Sequence, residues 1–246
     1  MIDKTVAGLA EAVAGVPDGA TVMVGGFGNA GMPHELVAAL IEQGARDLVI
    51  VSNNAGNGEA GLAALIAARR VRKVVCSFPR QSDSHHFDAA WRAGAIELEL
   101  VPQGNLAERI RAAGAGIGGF FTPTGFGTPL AAGKETRMID GRGHVFEQPL
   151  RADFALIRAE AGDRWGNLVY RKAARNFGPV MATAAACTVA QVRRIVPLGA
   201  LDPEAVVTPG IFVHRVVQLD DASATGGTDG EAASERSAGQ PARQAA

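Results

Sequence analysis

The chain has 246 residues, 47% of them apolar but only 5% aromatic, and a formal net charge of −1. That length can bury a substantial core, which must be built from Ala, Val, Leu and Ile. Balanced charge without a Lys/Arg stripe excludes the footprint of a nucleic-acid binder, and no apolar run is long enough to span a membrane.

Along the chain, apolar residues alternate between strand and helix patterns. Val22, Met23 and Val24 predict a buried strand over 21–24. Gly25, Gly26 and Gly28 break it before Pro33, His34 and Glu35 open a helical pattern over 34–43. Glycines at such a turn let main-chain N–H groups approach a ligand with no Cβ in the way. Beside a helix N-terminus those N–H groups favour phosphate or a developing oxyanion. The glycines fall as GGxGxxG with Phe27 between them, which is not a dinucleotide fingerprint. The next strand, 47–51, runs into Ser52, Asn53 and Asn54 rather than an acidic residue. There is no Gly-Lys-Ser/Thr ending for a nucleotide P-loop either.

A helical periodicity over 59–70, with Leu62, Leu65 and Ile66 on one face, leads to a strand at 71–76 that ends before Pro79 and Arg80. A helix over 84–93 and a strand at 96–101 follow, and the strand runs into Gln103 and Gly104. The helix over 104–113 carries Leu106, Ile110 and Ala113 on one face. This rhythm predicts an α/β fold: an open, mostly parallel sheet with helices on both faces, in three layers. Ligands bind such sheets at the carboxyl ends of strands, so the loops at 25–28, 53–54, 79–80 and 103–104 are expected to converge on one edge.

From 114 to 150 the chain is rich in Gly, Pro and Thr yet holds Ile117, Phe120, Phe121 and Phe126, and reads as an ordered excursion with two short extended pieces. A strand at 153–158 follows; 153–170 and 177–218 return to strands and short helices, with a β-like run at 211–219. Residues 221–246 hold no large apolar residue and cannot offset their ordering entropy. The expected organisation is one domain over 1–220 and a disordered tail over 221–246. Cys76 and Cys187 stand apart with no metal-ligand spacing. The N-terminus shows no basic-then-apolar leader pattern, so a cytoplasmic protein is expected.

The run DGATVMVGGFGNAGMP (18–33) resembles, element by element, the glycine signature of the family I CoA-transferases: Asp-Gly, two residues, three apolar residues, Gly-Gly-Phe, three residues, Gly, any residue, Pro. The blocks SNNAGNGEAGLAALI (52–66), VRKVVCSFPRQSDS (71–84), VPQGNLAERIRAAGAGIG (101–118), FTPTGFGT (121–128), GDRWGNLVYRKAARNFGPVMA (162–182) and LDPEAVVTPGIFVHRVV (201–217) are similar to the first of the two subunits of the two-chain 3-oxoacid CoA-transferases. The likeness covers about 1–219. CSFPRQSD and RWGN…YRKAARNFGP resemble the members that act on 3-oxoadipate more than those that act on acetoacetate.

The resemblance implies transfer of CoA from succinyl-CoA to 3-oxoadipate, a step of aromatic catabolism, through a glutamyl-CoA intermediate with ping-pong kinetics. In the family the attacking glutamate lies in a Ser-Glu-Asn-Gly type motif of the second subunit, which this chain does not contain. The nucleophile is therefore expected on that partner, in a heterotetramer of two copies of each chain. Coenzyme A thioesters are the implied substrates, with no permanently bound cofactor. The alternatives are transfer to acetoacetate or another short 3-oxoacid, and a non-catalytic acyl-CoA-binding domain on the same scaffold.

Binding and polarisation are left to this chain. Val24, Gly25, Gly26, Phe27, Gly28, Asn29 and Ala30 match the segment assigned to CoA in the family. Gln103 matches a glutamine near the reacting carboxylate; a neutral amide donates to an oxyanion without competing as a nucleophile. Asn53, Asn54 and Gly104 are expected beside it as substrate contacts. Arg80 is expected to hold the distal carboxylate of a dicarboxylic acid through two parallel hydrogen bonds, the alternative being a surface pair with Asp83. Glu59, in AGNGEAG, imitates the nucleophile motif in the wrong order and reads as a helix-start acid. His85 and His86 are adjacent, point to different helix faces and have no carboxylate at ligand spacing, so no metal site is expected. Arg171, Lys172 and Arg175 form a basic cluster near Trp165 that reads as a solvated face. Trp165, Tyr170 and Phe177 read as core or interface aromatics.

Overall fold

The computed structural model describes residues 1–80 and 83–219; the tail expected over 221–246 lies outside the described residues. In chain order the elements are α1 (Leu9–Ala12), β1 (Thr21–Val24), α2 (His34–Gln43), β2 (Leu48–Val51), α3 (Leu62–Ala67), β3 (Val71–Cys76), α4 (His85–Arg92), β4 (Glu97–Leu100), α5 (Gln103–Gly114), β5 (Phe120–Thr122), β6 (Thr136–Ile139), β7 (Arg142–Glu147), β8 (Ala152–Asp163), β9 (Leu168–Val169), α6 (Gly178–Ala184), β10 (Ala185–Val196) and β11 (Arg215–Gln218).

Successive side chains of a strand point to opposite faces of its sheet, and this alternation builds the layers. Val22 and Val24 of β1, Leu48 and Ile50 of β2, Val74 and Cys76 of β3 and Leu156 of β8 enter one core with α1 to α4. Met23, Val51, Val75, Ala155 and Ile157 enter the other with α5 and α6. Both faces are covered, as a parallel sheet requires, and the predicted three-layer arrangement is the one observed.

The large sheet runs β11-β10-β8-β1-β2-β3-β4, with β9 added to β8. Every pairing is parallel except β8 with β9. The chain leaves β1 toward β2, β3 and β4, returns to β8, and then winds the other way through β10 to β11. Right-handed crossovers therefore put α2 to α4 on one face and α6 on the other. Between β1 and β8 the winding reverses, and a crevice opens there at the carboxyl ends of the strands.

β1 stops at Val24, opposite Leu156, whereas β8 and β10 stay paired as far as Asp163 and Val196. The β8–β10 ribbon thus overhangs the carboxyl edge of β1, flanked by β11 along Val189–Val192 and by β9 at Ala161 and Gly162. The predicted strand at 153–158 covers only its first half, because the continuation AEAGD (159–163) has no β-branched residue to mark it. The helix expected over 59–70 is shorter in the structure, Leu62–Ala67, since Gly56, Gly58 and Gly61 hold left-handed φ of 86°, 65° and 58° before it.

Three strands, ordered β5-β7-β6 and antiparallel, replace the two extended pieces expected between 114 and 150. A buried carboxylate ties this small sheet to α5. Glu147 accepts from Lys134 Nζ at 2.8 Å and from Asn105 Nδ2 at 3.1 Å, and Arg109 Nε lies 3.9 Å from its other oxygen. Asn105 and Arg109 belong to α5, so the network helps to fix the helix that begins at Gln103.

Candidate active site

The glycine turn after β1 lies at the crevice. Gly25 N donates to the Leu156 carbonyl at 3.0 Å, and Phe27 and Ala30 exchange backbone hydrogen bonds of 3.0 and 3.2 Å, folding the loop back on itself. Gly26, Gly28 and Gly31 hold φ of 122°, 57° and 75°. A methyl group on Gly26 would stand 3.1 Å from the Met32 backbone, and one on Gly31 would collide with the Ala174 carbonyl. One on Gly28 would meet nothing within 4 Å. Two of the glycines are thus needed for close backbone approach, and the third faces open space beside the exposed ring of Phe27.

The loop after β2 carries an amide relay. Asn53 is buried; its carbonyl accepts from Ser77 N and Phe78 N at 3.2 and 3.0 Å. Its Oδ1 accepts from Ser77 Oγ at 2.8 Å and from Gln103 Nε2 at 2.7 Å. Gln103 is the exposed first residue of α5, and one of its amide N–H groups remains available after the bond to Asn53. Gly104, exposed beside it, has nothing within 4 Å of a built Cβ. Asn54 Oδ1 accepts from Gly56 N at 2.9 Å, while its buried Nδ2 has no partner among the described residues. A buried amide left unpaired costs roughly 1–3 kcal/mol, a cost relieved when an acceptor arrives.

Arg80 pairs with Asp88 rather than Asp83: Nε to Oδ1 is 2.7 Å and Nη2 to Oδ2 is 2.9 Å. The Arg80 hydrogen bonds hold the Asp88 carboxyl below its ordinary pKa. Asp83 instead offers its carbonyl to Gly58 N and to His85 Nδ1. The structure joins Gln103 to Asn53 but leaves Arg80 on the flank of α4. Glu59 is exposed at the loop before α3 and lies 2.8 Å from both His85 Nε2 and His86 Nε2. These two imidazoles, His86 first, hold its carboxyl below the ordinary value. The carboxylate that sequence spacing denies the histidine pair comes from a loop 26 residues upstream.

On the other side of the glycine turn a cleft of about 400 Å³ separates residues 29–31 from the overhanging ribbon. Arg158, Arg171, Lys172 and Arg193 line it against one carboxylate, Glu160, and none of the four is in an ion pair among the described residues. Lys172 holds a left-handed φ of 51°, a conformation that costs a side-chain-bearing residue roughly 1–2 kcal/mol. Tyr170 also lines the cleft; its hydroxyl shares a 2.7 Å hydrogen bond with Thr208 Oγ1, and burial pushes its pKa up to about 12. Trp165 and Arg175 do not line it, and Phe177 is core. Arg158 and Arg193 escape a sequence reading of loops because they lie inside strands. The available signal is Arg158 and Glu160 two residues apart, on one face of a strand whose neighbours are buried. Cys76 is wholly buried, which pushes its thiol up to about 12, whereas Cys187 is only half-buried.

The family model for coenzyme A transferase matches residues 6–219. The chain is 69% identical over 225 residues to the first subunit of 3-oxoadipate CoA-transferase from Pseudomonas putida, covering 92% of this chain and 97% of the relative. It is 62% identical over 225 residues to the protein of the same name from Acinetobacter baylyi, covering 92% and 99%. An acyl-CoA transferase from E. coli O157:H7, solved as a thioester complex with CoA, superposes with a TM-score of 0.76 at 23% identity, over 89% of this chain. This chain spans about half of that polypeptide, 47%. No helix among the described residues is long and apolar enough to cross a membrane. With a family signature spanning nearly all the described residues, and the glycine turn and amide relay at the carboxyl edge of the sheet, the chain belongs to the coenzyme A transferase family.

Proposed function

We propose that this chain is the first subunit of a heteromeric, cytoplasmic CoA-transferase that moves CoA from succinyl-CoA to 3-oxoadipate. The observation that carries the reading is the Gln103–Asn53 relay beside the glycine turn, a fixed amide donor with no carboxylate in the group it belongs to. A glutamate supplied by the partner chain attacks the succinyl thioester, giving a mixed anhydride and CoA thiolate. The thiolate attacks the glutamyl carbonyl, leaving a glutamyl-CoA thioester and free succinate. The 3-oxoadipate carboxylate then runs both steps in reverse. Each step passes through an oxyanion, and one preorganised donor is worth about 3 kcal/mol, roughly a hundredfold in rate. Gln103 Nε2, held by Asn53 and through it by Ser77, supplies that donor.

Residues 24–30 lie along the acyl and pantetheine part of the substrate, and the cationic cleft on the far side of the turn suits the phosphates of CoA. Asn54 Nδ2 and Gly104 border the acid. The names of the two relatives at 69% and 62% identity support 3-oxoadipate as acceptor. Arg80 takes its distal carboxylate by exchanging Asp88 for the substrate. The one observation favouring a monocarboxylic acceptor such as acetoacetate is that Asp88 already occupies the Arg80 fork.

The test is CoA transfer from succinyl-CoA to 3-oxoadipate and to acetoacetate, by this chain alone and with its partner chain. The lone chain is expected to be inactive and the pair to prefer 3-oxoadipate. In the pair, Gln103→Ala should lower kcat about a hundredfold, and Arg80→Ala should raise KM for 3-oxoadipate alone. Turnover by the lone chain would refute the division of labour between the two chains; equal Arg80→Ala effects on both acids would refute the substrate contact.

A further inference from the structure

Glu59, His85 and His86 belong to neither the amide relay nor the cationic cleft and come from two elements, the loop before α3 and the first turn of α4. Backbone and side-chain bonds pin the two together: Gly58 N donates to the Asp83 carbonyl at 3.1 Å, and Ser84 Oγ to the Gly56 carbonyl at 3.0 Å. Neighbouring residues on a helix diverge by about 100°, yet both rings turn onto one carboxylate. Their centroids are 4.2 Å apart, and the three ligand atoms lie within 4.8 Å of one another.

The proton inventory around His85 identifies what the cluster is suited to hold. Its Nδ1 is 3.1 Å from the Asp83 carbonyl and its Nε2 is 2.8 Å from Glu59 Oε1, so both ring nitrogens face oxygen acceptors. A neutral imidazole carries one N–H and satisfies only one of them. When Nδ1 carries the proton, Nε2 and Glu59 Oε1 set one lone pair against another, a contact that a cation between them relieves. With Nδ1–H given to a backbone carbonyl, Nε2 is presented as a ligand, the outer-shell pattern found at histidine metal sites.

We propose that His85 Nε2, His86 Nε2 and one Glu59 oxygen bind a Zn²⁺ ion, with water as the fourth ligand. Zinc takes imidazole nitrogen and carboxylate oxygen at about 2.0–2.2 Å in a tetrahedron, which sets the ligand atoms roughly 3.3 Å apart. His85 Nε2 and His86 Nε2 each stand 2.8 Å from a different oxygen of Glu59, and rotation of these solvent-accessible side chains brings both nitrogens and one oxygen to that spacing. An occupied site clamps the loop carrying Asn54 to α4, and so to Asp88, the partner of Arg80. It makes the segment around the amide relay responsive to zinc. Zinc binding here does not depend on the proposed transfer reaction.

The experiment is calorimetric titration of Zn²⁺ into the chelator-stripped complex of this chain with its partner chain, with Co²⁺ absorption as a report of tetrahedral geometry. One ion per copy of this chain is expected to bind. His85→Gln/His86→Gln should weaken binding at least tenfold and abolish the Co²⁺ band, Glu59→Gln should weaken it as well, and His144→Gln should change nothing. Melting curves confirm that the variants fold. A Gln103→Ala complex, impaired in transfer, should bind zinc normally, which separates the zinc site from the reaction. Absence of saturable binding, or equal affinity in the double histidine variant, would overturn it.

Discussion

A methyl group at Gly28 enters open space, whereas one at Gly31 runs into the Ala174 carbonyl, although both residues hold a left-handed φ. Gly28→Ala should therefore cost about 1–2 kcal/mol, the strain of a left-handed alanine. It should keep the fold and raise KM for succinyl-CoA in the paired enzyme. Gly31→Ala carries the same strain plus a backbone collision, so urea unfolding should register a clearly larger loss of stability, and residues 171–175 must move. A Gly28→Ala enzyme with unchanged KM would separate the turn from the substrate. At this scale the sequence offers Gln103 and the glycines as candidates but says nothing of their partners. Nothing local in it says that Asn53 receives both Ser77 and Gln103, or that Glu59 meets two histidines. Those meetings depend on distances between strand ends, which only the assembled sheet sets.

Among the elements, the three-stranded excursion shows best how packing is routed toward the site. Glu147 is almost wholly buried and is met by Lys134, Asn105 and Arg109. Removing one member of such a network leaves buried charge uncompensated, which typically costs roughly 3–5 kcal/mol. Glu147→Ala should lower stability by about 3 kcal/mol in urea unfolding, and Glu147→Gln by less. Because α5 carries two of the partners and starts at Gln103, kcat of the paired enzyme should fall with either variant. The strand that carries Glu147 eludes prediction because RGHVFE offers only Val145 and Phe146 as adjacent apolar residues, and its partner TRMI is mostly exposed. The central strands are legible because both of their faces are dry, which leaves continuous apolar runs such as LVIV in β2.

Over the whole molecule, layers that are far apart in the chain are stitched by a few charges. Glu99 of β4 joins Lys73 of β3 at 2.7 Å and Arg109 of α5 at 2.9 Å. Partial burial alone would raise its pKa, but the hydrogen bonds from Lys73 and Arg109 outweigh burial and hold it below the ordinary 4.5. A carboxyl depressed in the folded state contributes stability above its unfolded pKa and loses it as pH falls through the folded value. Stability of the wild-type chain should therefore drop faster below about pH 4.5 than that of Glu99→Gln, as followed by urea midpoints across pH. The three layers follow from strand and helix patterns readable in the sequence. The overhang of β8 and β10 does not, since its distal half is spelled by small and charged residues.

That overhang also shapes how the molecule meets its own copies. Pairing of β8 with β1 ends at Leu156, and β9 takes over only at Ala161. Along 157–160 one edge of β8 has no neighbouring strand among the described residues. Bare strand edges are templates for intermolecular pairing, and proteins blunt them by keeping them short and charged. This one is short, and Arg158 and Glu160 place opposite charges on it. The gap proposed to take the phosphates of CoA is therefore a poor dock for another β-strand, so an opening suited to anions also guards the chain against aggregation.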